Sequence, residues 1–115
     1  MRVLVLGAGG VGAAFAAIAQ RRDAFEQVVL ADMAVERLRS VVAGLGEPGR
    51  FSAERVNASD QDDVARLIGR VRPDAILNAV DPRLNVPIFD AAFDARVTYV
   101  DMAMTLSKRD PQRPY

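Results

Sequence analysis

Val3-Leu4-Val5-Leu6-Gly7-Ala8-Gly9-Gly10-Val11-Gly12 opens as a continuous apolar run and breaks into glycines. A short apolar run bounded by a turn signal reads as a strand, here residues 3–6, buried on both faces. Small apolar residues follow at helical spacing over residues 11–22. Val11, Ala14, Phe15 and Ile18 are expected to face inward, and Ala13 and Ala17 are small enough to let a helix lie close to a sheet. The glycines between them fit G-x-G-x-x-G in the context that gives the pattern meaning, with a strand before and a helix after. Gly7 permits a tight turn, Gly9 lets backbone approach a diphosphate, and Gly12 lets the helix pack on the strand. Gly7, Ala8, Gly9, Gly10, Val11 and Gly12 are therefore the candidate phosphate-binding residues, acting through main-chain amides and the helix dipole. The competing reading is a glycine turn that binds nothing.

Outward from this motif the chain keeps alternating strand and helix signals. Residues 27–31 form a second strand around Val28, Val29 and Leu30. Residues 34–43 form a helix with Val35, Leu38 and Val42 on one face, ended by Gly44 or Gly46 and blocked by Pro48. A weakly alternating strand is expected over residues 50–57. Ser59 is the expected N-cap of the next helix, which has Asp60, Asp62 and Asp63 near its start and runs to about Val71, with Val64, Leu67 and Ile68 inward. Residues 75–80 form a buried strand broken by Asp81-Pro82, residues 85–95 a helix with Pro87 near its start, and residues 97–100 a fifth strand. This alternation predicts an α/β, Rossmann-type doubly wound parallel sheet of about five strands in a three-layer αβα arrangement. Residues 1–104 are read as one dinucleotide-binding domain. Residues 105–115, charged and proline-containing, are read as an exit segment.

Asp32 ends the second strand some 20 to 25 residues past the glycines, where dinucleotide folds place the ribose ligand. A carboxylate there accepts hydrogen bonds from both adenosine-ribose hydroxyls and repels a 2′-phosphate, so NAD is favoured. Met33 is no cation, but Arg37 lies one helical turn on and can swing over, which leaves NADP open. Asp32 can equally cap the next helix, with Glu36 near its first turn. Asn57, Ala58, Ser59 and Asp60 follow the third strand and flank the expected adenine position; Ser59 and Asp60 can reach the ring, although helix capping explains both and is the favoured reading. Asn78, Ala79, Val80 and Asp81 follow the fourth strand beside the topological switch point, where ligands lie. Asn78 either contacts the nicotinamide-side ribose or phosphate, or satisfies buried backbone groups. Asp101 faces the same crevice in either a structural or a lining role.

Composition narrows the chemistry. Fifteen basic residues balance fifteen acidic ones, so neither nucleic acid nor an anionic membrane is an expected partner. The chain has no cysteine and no histidine, which removes disulfides, thiolate chemistry, the commonest metal ligand and the commonest general base. No metal site is expected. No targeting signal is evident at the start, and the expected compartment is the cytoplasm. Tyr99 is followed four positions later by Ala103, so a Tyr-x-x-x-Lys dyad is absent; the only lysine is Lys108. No catalytic residue is assigned.

The opening segment through Gly12 combines with Leu30-Ala31-Asp32, Asn78-Ala79-Val80-Asp81-Pro82, Val86-Pro87-Ile88-Phe89-Asp90-Ala91-Ala92 and Tyr99-Val100-Asp101-Met102-Ala103. Together these resemble the saccharopine dehydrogenase family, in its dehydrogenase-like and carboxynorspermidine-synthase-like branches. The resemblance implies a Rossmann domain followed by an α+β substrate and dimerisation domain. It also implies hydride transfer between NAD(P) and the carbon of an imine or secondary amine of an amino-acid-like substrate. Met33 stands where many relatives carry arginine, and Asn57 where many carry aspartate, which bears on NADP preference and on adenine contacts. The expectation is a chain truncated before the sixth strand and the substrate domain. Such a chain would bind nucleotide weakly and catalyse nothing, with exposed apolar surface able to support a homodimer. The reading from another class is a regulatory NAD-sensing Rossmann module without catalysis. A sugar-nucleotide epimerase fragment ranks last for want of the Tyr-Lys pair.

Overall fold

Strands whose residues are apolar on both faces must be covered on both faces, and the architecture follows from that requirement. The computed structural model describes residues 1–103 and Gln112. Its elements are β1 (Arg2–Leu6), α1 (Gly10–Ala19), β2 (Gln27–Asp32), α2 (Val35–Leu45), β3 (Phe51–Arg55), α3 (Gln61–Val71), β4 (Ala75–Asn78), a 3-10 turn (Pro82–Leu84), α4 (Asn85–Asp94) and β5 (Thr98–Asp101). Every pairing is parallel, in the order β3-β2-β1-β4-β5. Val3, Val5, Val28 and Leu30 pack beneath α1 and α2 with Ala16, Ala19 and Leu38. Leu4, Leu6, Val29, Ala31 and Ile76 pack on the other side against Val64, Leu67 and Ile68 of α3 and Ile88, Ala91 and Ala92 of α4. The expected three-layer, five-stranded sheet is present. Leu6 pairs with Ala31 on one side and Asn78 on the other, which brings three strand ends level with the glycine loop.

The buried face of α1 differs from the sequence-based expectation. Val11, Ala14 and Ile18 are exposed, and Gly12, Ala16 and Ala19 are buried. A helix apolar all round carries little directional signal, and its smallest residues decide how close it approaches the sheet. Arg50 fastens the far end of this helix. Its guanidinium donates to the carbonyls of Phe25, Gln20 and Ala19, each at 2.8 Å, and to that of Arg22. These carbonyls lie at and just beyond the end of the helix, where a cation is favourable to the helix dipole.

Several boundaries also shift for local reasons. Asp60, not Ser59, caps α3, accepting from the Asp62 and Asp63 amides at 3.0 and 3.3 Å. Ser59 instead donates to Asn57 Oδ1 through its amide and hydroxyl. β4 stops at Asn78 because the Val80 amide turns back onto the Asn78 side chain at 3.1 Å. β5 starts one residue late, after Arg96 takes φ 57° and the Val97 amide closes on Ala92. Gly46, at φ 69°, ends α2 in the left-handed conformation that glycine tolerates. The expected exit segment, residues 105–115, lies outside the described residues apart from Gln112.

Candidate functional site

The crevice lies beyond the ends of β1, β2 and β4, where the strand order reverses, and the glycine loop forms its lip. Gly7 takes φ 102°, and a side-chain carbon there would sit 2.8 Å from the Ala79 carbonyl oxygen. A side-chain carbon on Gly12 would lie 1.8 Å from the Gly7 carbonyl oxygen. Both glycines are therefore required by the fold itself. Gly9 is different. Its backbone is ordinary extended chain (φ −74°, ψ −162°), and a side-chain carbon there would meet nothing within 4 Å. Gly9 is also the N-cap of α1, whose start has no side-chain cap and no acidic residue in its first turn. The loop thus presents open space over unprotected helix-start amides, with no competing carboxylate on the helix, and a diphosphate fits such a setting. Gly10 is similarly open and Val11 is exposed beside it.

Asp32 joins this loop to the next helix. Its Oδ2 accepts from the Ala8 amide at 2.8 Å and from the Arg37 guanidinium at 3.0 Å, and its Oδ1 accepts from the Ala34 amide at 2.9 Å. Burial opposes ionisation, but the Ala34 and Ala8 amides and then Arg37 outweigh it, so the carboxyl titrates below its ordinary value. The N-cap of α2 is Ala34, without a side-chain cap; Asp32 leads into the helix through a turn onto Ala34 and does not cap it. Arg37 already sits on Asp32, so a countercharge stands beside the expected ribose ligand.

Behind Asp32 lies a cavity of about 200 Å³. It is lined by Ala31, Met33, Val56, Asn57, Ala58, Ser59, Val80 and Leu84 together with Asp32. The sequence points to Met33, Ala58, Ser59 and Val80 as site residues. Val56 and Leu84 carry no such signal; Leu84 arrives through the 3-10 turn, which has no periodic pattern. An apolar slot opening beside a carboxylate suits a flat heteroaromatic base next to a diol.

On the β4 side, Asn78 is buried, and its side chain is committed within the protein. Its Nδ2 donates to Asn85 Oδ1 at 2.9 Å and to the Tyr99 hydroxyl at 3.0 Å, while its Oδ1 accepts from the Val80 amide. Asn85 Nδ2 donates to the Ala103 carbonyl, and the Tyr99 hydroxyl donates to Asp101 Oδ2 at 3.0 Å. Burial, together with the Asp101 carboxylate, raises the Tyr99 phenol above its ordinary value against the opposing Asn78 amide. This network ties β4, α4 and β5 together and sets the path of the Val80 backbone. The sequence signal for it is Asn85, a polar residue leading an apolar helix seven positions after Asn78. The Ala79 amide donates to the Leu6 carbonyl, and the Ala79 carbonyl packs against the side of Gly7 where a side chain would stand. Asp81 holds Arg83 through both carboxylate oxygens, at 2.9 and 2.7 Å, and that guanidinium lowers its pKa to about 2. Among the described residues no cluster of acidic groups is arranged to hold a metal, and no helix is long and apolar enough to cross a membrane.

The sequence matches the saccharopine dehydrogenase NADP-binding domain over residues 3–114. It is 30% identical over 114 residues to carboxynorspermidine synthase of Vibrio cholerae, covering 92% of this chain and 28% of that protein. It is 28% identical over 102 residues to carboxyaminopropylagmatine dehydrogenase of Synechocystis, covering 89% of this chain and 25% of that protein. The fold superposes with a TM-score of 0.77, at 15% identity, on apo saccharopine dehydrogenase (L-Glu forming) from Saccharomyces cerevisiae, covering 93% of this chain and 22% of that one. The chain thus spans about a quarter of the length of these relatives. They give the regulatory NAD-sensing reading no support. With its glycine loop, its Asp32 and its strand order in place, the chain belongs to the family of saccharopine dehydrogenase NADP-binding domains.

Proposed function

We propose that residues 1–104 form the cofactor-binding part of a cytoplasmic oxidoreductase that moves hydride between NAD(P) and the imine or secondary-amine carbon of an amino-acid-like substrate. The observation that carries the reading is the open space over Gly9 at an uncapped helix start. The amides around Gly9, Gly10 and Val11 would hold the diphosphate, with Gly7, Ala8 and Gly12 shaping the loop. Asp32 would take the adenosine ribose, and the slot lined by Met33, Ala58, Ser59 and Val80 the adenine. Asn78, Ala79 and Asp81 would shape the nicotinamide side, Asn78 through the backbone it orients. The nicotinamide, when bound, supplies the hydride chemistry, and these residues supply position and electrostatics. No acid or base is assigned, so substrate activation belongs to the remainder of the parent enzyme, and this polypeptide alone turns nothing over.

NAD is the favoured cofactor, because Asp32 would repel a 2′-phosphate. Arg37, 3.0 Å from that carboxylate, is the group that would let NADP bind. Calorimetric titration of the chain with NADH and NADPH in parallel tests both statements. Saturable binding with NADH the tighter ligand is expected. A tenfold preference for NADPH would overturn the reading of Asp32, and no binding of either would overturn the site.

A further inference from the structure

The sheet is covered unevenly. On the α1–α2 side, Ala75 and Leu77 of β4 and Val100 of β5 continue the floor formed by Val3, and no helix among the described residues lies over them. The result is a groove of about 360 Å³ bounded by Met1, Phe15 and Phe25 on one side and Met102 on the other. Val100 is 53% and Met102 58% exposed, and Ile18, one turn along α1 from Phe15, is 60% exposed. Contiguous exposed apolar surface of this kind marks an interface.

We infer that this groove seats an apolar helix of the same polypeptide, from a part remote in sequence beyond Tyr115. The inference rests on the reading of the chain as part of a longer dehydrogenase, and three observations favour this occupant. The matched relatives are about four times longer than the region they share with this chain. The next crossover cannot supply the cover. A right-handed connection from β5 to a strand at its outer edge puts its helix on the α3–α4 side, as the β4-α4-β5 connection already does. A second copy is a poor fit as well. Two-fold pairing sets groove against groove and fills neither, while lodging the exposed Phe89 and Phe93 of α4 in a neighbour's groove gives a head-to-tail contact with no built-in closure. The seated helix would complete the third layer and fix β5, whose end carries Asp101 and the Tyr99 network.

The test is thiol accessibility in the parent polypeptide. Val100→Cys places a thiol on an otherwise cysteine-free stretch, and Met102→Cys provides a second position on the same face. Maleimide labelling is read by mass on the peptide that contains the substituted residue. Native labelling on the order of 100-fold slower than in denaturant is expected, as for a site shielded from fast local opening. That protection should not change with protein concentration, and a cross-linker placed at position 100 should reach a peptide of the same chain well beyond the next strand. Native labelling as fast as in denaturant at both positions overturns the inference. So does protection that disappears on dilution, a cross-link to the adjoining element or another copy, or a reading frame that closes directly after residue 115. NADH binding by the same samples separates the outcomes: retained binding with an open groove removes only the helix, and loss of both removes the cofactor reading too.

Discussion

The two halves of the sheet achieve burial differently. In the β1–β2–β3 half, strand, loop and helix come from one continuous stretch, and β1 and β2 are buried on both faces with α1 and α2 on one side and α3 on the other. In the β4–β5 half, one face is closed by α4 and no helix among the described residues covers the other, and order at the strand ends comes from a polar network among Asn78, Asn85, Tyr99 and Asp101. The first half supplies the glycine loop and Asp32 from contiguous chain, and the β4 side adds Ala79 against Gly7 and Val80 and Leu84 to the slot. The second is held by directional hydrogen bonds where apolar cover is missing. Phosphate and ribose recognition is therefore expected to be better ordered in this chain than the nicotinamide side.

The largest expected effect belongs to the first half. Gly12→Val drives a side chain into the Gly7 carbonyl, where even the first carbon has only 1.8 Å. Backbone cannot yield at a helix–strand contact without losing both elements. The cost is expected to exceed about 4 kcal/mol, and cooperative thermal unfolding should disappear. A normal unfolding curve for this variant would show that the helix approaches the strand less closely than the geometry requires.

The second half should respond more moderately. Asn78→Ala removes a buried amide and leaves the Val80 amide and the Tyr99 hydroxyl short of a partner. A loss of about 2–3 kcal/mol in denaturant unfolding is expected. If the loss is within experimental error, the network is not what orders the β4–β5 half, and the contrast between the halves fails.

The smallest effect is conditional on pH. The Asp32 carboxyl is shifted downward in the folded chain, so its stabilisation is fully present above its unfolded pKa of about 3.9 and is lost as pH falls through the folded value. The stability gap between wild type and Asp32→Asn should be widest near neutrality and narrow below about pH 4. A gap that is constant with pH would mean that the Ala8, Ala34 and Arg37 contacts do not favour the charged form.

Much of the fold was legible because its signals are local. The apolar run at Val3–Leu6, the glycines after it and the proline and glycine breaks are each readable without knowing what packs on them. The orientation of α1 was not legible, because Val11, Ala14 and Ile18 are as apolar as its buried residues and only contact with the sheet selects Gly12, Ala16 and Ala19. The helix start after β3 offered two neighbouring cap residues, and the competition between Ser59 and Asp60 was decided by the Asn57 side chain drawing Ser59 away. Within the candidate site, the glycines and Asp32 stood out by spacing. Val56, Leu84 and the joining of Asn85 to Tyr99 through Asn78 did not, because only the crossovers bring these distant segments together. Arg50 was invisible for the same reason: its carbonyl partners lie 25 to 31 residues earlier in the chain.

Gly9 separates what the fold needs from what a ligand needs, since a larger residue there meets no protein atom. The direct measurement is Gly9→Val against wild type, with thermal unfolding and NADH titration performed on the same samples. Backbone–phosphate recognition at this loop predicts an unfolding midpoint close to wild type and a loss of NADH affinity of at least about tenfold, as obstruction of that contact implies. Undiminished NADH affinity in the folded variant would contradict it.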